Sequence, residues 1–417
     1  MNTARRGDQD QSEDVMMATS TAKKPQGTRR KRSKRIVGVD AARGLALVGM
    51  MSIHVLPSTT DDGGPTLVWR LAAGVSAALF AFLAGVSLSL STGGSSPQRG
   101  RELSGSRVGT AVRAGILLLL GMLLAVFDPP AGIILSYYGV MFLLAIPLLG
   151  AGVKTLMALA VGFAVIGSTI VNLTAGDAPS LDGYDPSFAS LMNDGGATLS
   201  TLFITGTYPA LNWMAFICAG LAIGRLNLRL RDTQLRLVLG GLITVAVSWA
   251  ASIVVLQTFN GFDRILQSTR GLSAGDLDLA LVQGVDEINV HISSPWWLFA
   301  LSPYSETPIE TLDLMGWAVA VFGGMLLLGT AVPWLVRPLV LLGTMTLTLY
   351  SLHLIFLSTY LLESVPYLSF WLQVGVSLLF VVLWRNISEW SQGPLEWVVA
   401  RAASGARSRF MAIPAAK

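Results

Sequence analysis

A single cysteine, Cys218, excludes an intramolecular disulfide. It lies between Ile217 and Ala219 in an apolar run, where burial without reactivity is expected. Histidine is nearly as rare. The three at positions 54, 291 and 353 are too scattered to form a metal site by spacing, so no metal is expected. Charge is scarce as well: Asp, Glu, Lys and Arg make up 13% of 417 residues against 52% hydrophobic residues, which excludes an ordinary soluble domain. The chain has no Walker phosphate loop and no GxGxxG after a strand. No internal repeat is evident either, which weighs against an inverted-repeat transporter. Nothing in the pattern calls for a nucleic acid partner.

What is present is a series of apolar runs long enough to span a bilayer, at about 36–56, 66–90, 108–126, 132–151, 153–171, 202–224, 237–256, 312–332, 338–361 and 367–384. The expected fold is an all-α integral membrane protein with about ten transmembrane helices. With both termini cytoplasmic, 26 of the 29 Lys and Arg residues fall on or toward the inside, leaving only Arg70, Arg264 and Arg270 outside. That bias sets both ends inside, and the expected location is the inner (plasma) membrane as a multi-pass chain. Residues 1–35 read as a disordered cytoplasmic tail whose Arg29–Arg35 basic cluster fixes the first helix. No cleavable signal peptide is apparent, because the first apolar run begins late and is too long for an h-region. Residues 36–386 form the transmembrane domain and 387–417 a basic, amphipathic cytoplasmic tail. In that tail, Glu396 of GPLEW belongs to a docking helix after Pro394. Asp128-Pro129-Pro130 makes spans three and four a tight hairpin. The acidic outer segments at about 172–201, with Asp177, Asp182, Asp185 and Asp194, and at about 257–311 are long enough to carry function or be disordered. Trp296 and Trp297, which follow His291, suit a lipid interface and a substrate lid equally.

The first apolar run carries the strongest functional signal. Arg43 and His54 are eleven residues apart, which on a helix is within about 20° of whole turns and roughly 16 Å along the axis. Asp40 lies within about 40° of the same stripe. Ionisable groups at membrane depth face a bundle interior or wet cavity and mark function. His54 is a natural general base, and the Arg43 guanidinium forks onto phosphate. Asp40 orients Arg43 by an i, i+3 pair. The bland alternative has Asp40 and Arg43 pairing at the membrane edge while His54 caps the helix near water. Tyr208, Asn212 and Trp213 fall at the outer end of span six, where they would bind a sugar or anchor the interface. Tyr350 and His353 lie in span nine, where they would reach the same cavity or serve as hydrogen-bonded packing. Arg113 and Arg225 suit phosphate attraction and the positive-inside bias alike.

Arg43-x10-His54, within Asp40-x-x-Arg43-Gly44-x-Ala46, resembles the Arg-x10-His signature of bacterial membrane acyltransferases that modify surface glycans. The stretches RIVGVDAARGLALVGM and LFAFLAGVSL are similar to bacterial relatives of the lysosomal heparan-α-glucosaminide N-acetyltransferase family. TYPALNWMAFICAGLAIGRL, LTLYSLH and GPLEW extend that resemblance over nearly all ten spans. The resemblance implies an acyl-CoA-dependent transferase with acetyl-CoA as donor on the cytoplasmic side. The acceptor is then a hydroxyl or amine of a sugar-containing glycan or glycolipid on the opposite face, in contact with membrane lipid. It assigns His54 as catalytic base or transient acyl carrier and Arg43 as its partner toward the CoA side, with Asp40 beside Arg43 and Arg113 as a further candidate for the CoA phosphates on the residue reading above. One departure bears on mechanism: the lysosomal pattern has asparagine at the His54 position and a histidine in the following segment, where Ser58 to Thr66 has none. The departure favours direct transfer over an acyl-histidine intermediate. Richness in Ala, Gly, Leu and Val points to a high-GC bacterium, for which trehalose monomycolate is an acceptor by analogy. The competing class is a small-molecule or lipid transporter, or flippase, using Asp40, Arg43 and His54 as an ion path.

Overall fold

The computed structural model describes residues 35–181, 185–285, 290, 292, 294–388 and 392–413. The expected basic tail before Arg35, Asp182, His291 and parts of the 387–417 tail lie outside the described residues.

Among the described residues the chain is helical and has no strand, only an isolated bridge between Thr59 and Pro65 in the first loop. In order the helices are α1 (Val37–Val55), α2 (Leu67–Ala72), α3 (Val75–Ser91), α4 (Gly100–Leu124), α5 (Ile134–Ala145), α6 (Val153–Gly162), α7 (Ser168–Thr174), α8 (Phe188–Asn193) and α9 (Gly195–Ser200). There follow α10 (Ala210–Ile223), α11 (Arg231–Ile253), α12 (Gly261–Ser268), α13 (Ala274–Gln283), α14 (Pro308–Ala331), α15 (Arg337–Gly343), α16 (Thr346–Leu357), α17 (Pro366–Ile387) and α18 (Pro394–Ala412).

Six helical stretches are long and apolar enough to cross a membrane, or eight if two bent pairs each count as one span. The remaining two of the ten apolar runs fold as α1, diluted by Asp40, Arg43 and His54, and as the 12-residue α5. The bent pairs correct the sequence reading of two uninterrupted spans. The 202–224 run turns by 49° between Thr205 and Ala210, and the 338–361 run breaks by 80° between α15 and α16. A helix broken at membrane depth must have its freed backbone groups satisfied by neighbours. Glu396 of α18 does this, accepting from the N–H groups of Leu347 (2.6 Å) and Thr348 (3.2 Å) at the start of α16.

The core forms around α1, which packs on α3, α14 and α15. Small residues permit this: a Cβ on Gly44 would strike the carbonyl of Leu339, and one on Gly343 the carbonyl of Asp40. The backbones therefore meet directly, the close crossing that glycine allows in membrane helices. On the outside, exposed Leu239, Ile243 and Val247 of α11 and Trp371, Val376 and Leu379 of α17 form the apolar rows a lipid phase requires. The tail helix α18 lies along α4, and Arg101 donates to the Met411 carbonyl near its end (3.2 Å).

The second long outer segment is folded. Leu256, Ile265, Leu277, Ile292, Trp297 and Ala300 build a separate small core beneath α12 and α13. Trp297 is buried in that core, and Trp296, half-buried, lies under the Arg264 guanidinium at 4.6 Å, so both rings help to pack this unit. The Trp69 indole N–H donates to the Val282 carbonyl (3.0 Å), tying the unit to α2 just past the His54 end of α1.

Candidate active site

Three groups of polar side chains occupy the bundle, and α1 links two of them. At its N-terminal end Asp40 is buried and accepts from Arg43 Nη1 at 3.2 Å, the i, i+3 pair the sequence spacing predicts. Arg43 Nη2 donates to the Ser87 hydroxyl on α3. Arg113 of α4 holds its guanidinium over the Phe142 ring of α5, 5.3 Å from the centroid. It is close enough for its charge to interact with those of Arg43 and Glu396. Its buried Nε has no hydrogen-bond partner among the described residues. Two guanidinium groups whose charges interact, one of them with a spare buried donor, offer the donor set of a phosphate site. Arg225 is used differently, donating to the carbonyls of Gly94 (3.4 Å) and Leu149, and so clamps two turns together.

At the other end of α1, His54 Nδ1 lies 3.1 Å from His353 Nε2 on α16. The ring centroids are 5.3 Å apart with planes inclined by 10°. That separation is close to the 3.1 Å contact plus two ring radii, so the imidazoles lie nearly edge to edge, the geometry for an N–H aimed at a ring lone pair. His353 Nδ1 is 2.6 Å from Gln373 Oε1 on α17, and Gln373 Nε2 donates to Ser369 Oγ (3.1 Å). His353, Gln373 and Ser369 are buried and His54 is half-buried, so the row leads from the packed interior to a ring with one open edge. One turn before His353, the Tyr350 hydroxyl accepts from the Ile134 N–H (3.2 Å) and donates to the Gly132 carbonyl (3.4 Å). Thus α16 is fastened to the start of α5.

The third group contains Tyr208, Asn212 and Trp213, all buried. The Trp213 indole N–H donates to both Glu306 carboxylate oxygens (3.0 and 3.1 Å), and Asn212 Nδ2 donates to the same carboxylate. Asn212 Oδ1 accepts from Ser168 (2.6 Å) and Thr311 (3.1 Å), so its amide is committed inside the protein. Tyr208 packs edge-on against Trp213 (4.9 Å) and Tyr137 (5.6 Å). Glu306 adopts a left-handed backbone (φ 55°), unusual for a residue with a side chain, and its N–H donates to Glu310 (2.7 Å). Beside this group, Asp185 accepts from the Ile133 N–H at 3.0 Å. Burial pushes the Asp185 carboxyl up to about 6, the Ile133 N–H opposing the rise and the Asp128 charge adding to it. With Asp128, Ile133, Leu181 and Ser187 it lines a cavity of about 210 Å³.

The structure therefore brings His54 against His353 and sets Arg113 within charge range of Arg43. It turns Asn212 and Trp213 onto Glu306. Sequence reasoning missed Ser87, Glu306, Ser369 and Gln373. Only Glu306 had a local signal: Thr307 followed by Pro308 and Glu310 is a helix start, with Thr307 Oγ1 accepting from the Glu310 N–H (3.1 Å), and it fixes the residue before the cap.

Residues 35–253, slightly more than half of the chain, match the family described as heparan-alpha-glucosaminide N-acetyltransferase, catalytic. The matched segment includes Asp40, Arg43, His54, Arg113 and Asn212, and ends before His353 and Gln373. No curated protein matches the chain.

Proposed function

The chain belongs to the heparan-alpha-glucosaminide N-acetyltransferase catalytic family, membrane acetyltransferases, and from that premise we propose that it moves an acetyl or short acyl group from cytoplasmic acyl-CoA to an extracytoplasmic sugar-containing acceptor. The observation that carries this reading is the division of labour along α1: a paired guanidinium site at one end and a paired imidazole at the other. About 16 Å of helix separates them, so one ligand serving both must be extended, anionic at one end and reactive at the other. Acyl-CoA has that form and supplies an activated thioester. Arg43 and Arg113 hold its phosphates on the cytoplasmic side, and Asp40 with Ser87 fixes the Arg43 fork. His54 takes the proton of the acceptor hydroxyl or amine as that atom attacks the thioester carbonyl carbon. The carbon–sulfur bond breaks, and the proton passes from His54 to the leaving sulfur. Direct transfer needs no acyl-enzyme. The acceptor in this reading is a glycan or a glycolipid such as trehalose monomycolate in the inner membrane, met at the His54 end of α1.

The test is transfer of labelled acetyl from acetyl-CoA into the lipid and glycan fractions of membranes carrying the wild-type chain or His54→Ala. Label appears only with the wild type, while acetyl-CoA binding survives the substitution. If no acyl-CoA gives His54-dependent label, the reading fails, and solute or lipid flux that depends on His54 would replace it with transport.

A further inference from the structure

The geometry assigns Gln373 as a positioning residue that fixes the imidazole tautomers so that His54 presents a bare Nε2. The role rests on the acetyltransfer reading for its consequence, though the tautomers themselves do not. Gln373 has one amide, and its two ends cannot do the same work. Its Nε2 is spent on Ser369 Oγ (3.1 Å), which turns Oε1 toward His353 Nδ1 at 2.6 Å. An amide oxygen only accepts, so His353 Nδ1 must carry the hydrogen. A neutral imidazole has one N–H, which leaves His353 Nε2 as a lone pair, and that atom faces His54 Nδ1 at 3.1 Å. His54 Nδ1 therefore donates, and its lone pair is left on Nε2. With the Gln373 amide oriented this way, each step follows from the one before it. The order begins in the packed interior, where Ser369, Gln373 and His353 are 3%, 7% and 3% exposed, and ends at the open edge of His54. A general base needs its lone pair on the nitrogen that meets the substrate, and a histidine left to itself divides between two tautomers. The relay removes the unproductive one. Protonation of Nε2 during transfer also leaves His54 Nδ1–H aimed at His353 Nε2, so the new charge meets a prepared acceptor.

The chain has only three histidines, so a ¹⁵N-histidine spectrum of the full-length protein in lipid bilayers is simple to assign. His291→Asn reduces it to two. With neither donor nor acceptor present, His54 and His353 should both show protonated Nδ1 and bare Nε2. Gln373→Leu should return His54 to a mixture containing Nε2–H and lower kcat by about ten- to a hundredfold, with the acetyl-CoA KM within about twofold. Gln373→Glu, which still accepts from His353 Nδ1, should restore both the tautomers and most of kcat. A wild-type spectrum with hydrogen on His54 Nε2 overturns the assignment and needs no variant to fold. Normal kcat in a Gln373→Leu protein whose tautomers have changed also overturns it. If the chain transfers no acetyl at all, the spectrum still decides the tautomers, so failure of the acetyltransfer reading is separately visible.

Discussion

Glu396 sits where two helix N-termini converge, and removing its carboxylate should destabilise the protein well beyond an ordinary surface change. The starts of α16 and α18 both point their free N–H groups and positive dipole ends into the same space. Glu396 answers three donors there: the Leu347 N–H (2.6 Å), the Thr348 N–H (3.2 Å) and the Thr348 hydroxyl (2.6 Å). Thr348 Oγ1 in turn accepts from the Leu395 N–H of α18 (3.2 Å), so each helix caps the other. Glu396→Ala leaves two backbone donors unmet at about 1–3 kcal/mol each. It also removes the negative charge between two dipole ends, worth about 0.3–1 kcal/mol for each. The sum is about 3–8 kcal/mol. Glu396→Gln keeps an acceptor oxygen and loses the charge, for about 1–2 kcal/mol. Thermal unfolding of the protein in detergent should therefore rank wild type above Gln above Ala, with Ala several degrees lowest. Because α16 carries Tyr350 and His353, acetyl transfer should fall in the same order. An alanine variant that melts within about a degree of wild type would refute the mutual cap.

The donor site makes its own prediction: Arg113→Gln should raise the acetyl-CoA KM by about ten- to a hundredfold with a smaller change in kcat, measured in initial-rate assays, because a charged donor is lost and the base is untouched. Asp185 predicts a pH effect. Its folded value, about 6, lies above the ordinary 3.8, so the folded state binds the extra proton and stability falls as pH rises through that window. Asp185→Asn keeps an acceptor for the Ile133 N–H without the charge, so it should melt above wild type at pH 7.5 and level with it near pH 4. Asn212→Asp sets a second carboxylate against Glu306 and should lower the melting temperature by several degrees, whereas Asn212→Leu tests the hydrogen bonds alone.

Periodicity and hydropathy made the helices legible because they depend on residues close in sequence. Each of the ten apolar runs contains a helix, and the Asp40–Arg43 pair follows from an i, i+3 spacing on one helix face. Of the two breaks, the one in 202–224 has a local signal in Gly206 and Pro209, whereas the other was not legible in the same way. The 338–361 run has no proline or glycine pair between Thr344 and Thr346 to announce an 80° turn. Its stabilising partner, Glu396, lies about fifty residues away on a different helix, and no local window contains both. The second outer segment was unreadable for a related reason. Its core joins Leu256 to Ala300 through short pieces, none apolar enough alone to signal a fold.

The same distinction separates the two ends of the candidate site. Arg43 and His54 stood out because ionisable residues in an apolar run are conspicuous individually. Gln373 and Ser369 are neutral, and in the 367–384 run they look like tolerated polar residues. Their meaning comes from position: His353 is 299 residues from His54 in sequence and 3.1 Å from it in space, and Gln373 is what His353 faces on its other side. Two titratable rings in contact leave open which nitrogen holds each hydrogen. A fixed, non-titrating amide closes that question, because its oxygen can only accept and its nitrogen is already engaged. A neutral anchor gives the neutral His54 ring one defined open nitrogen, and that is why the least conspicuous member of the row is the one that orders it.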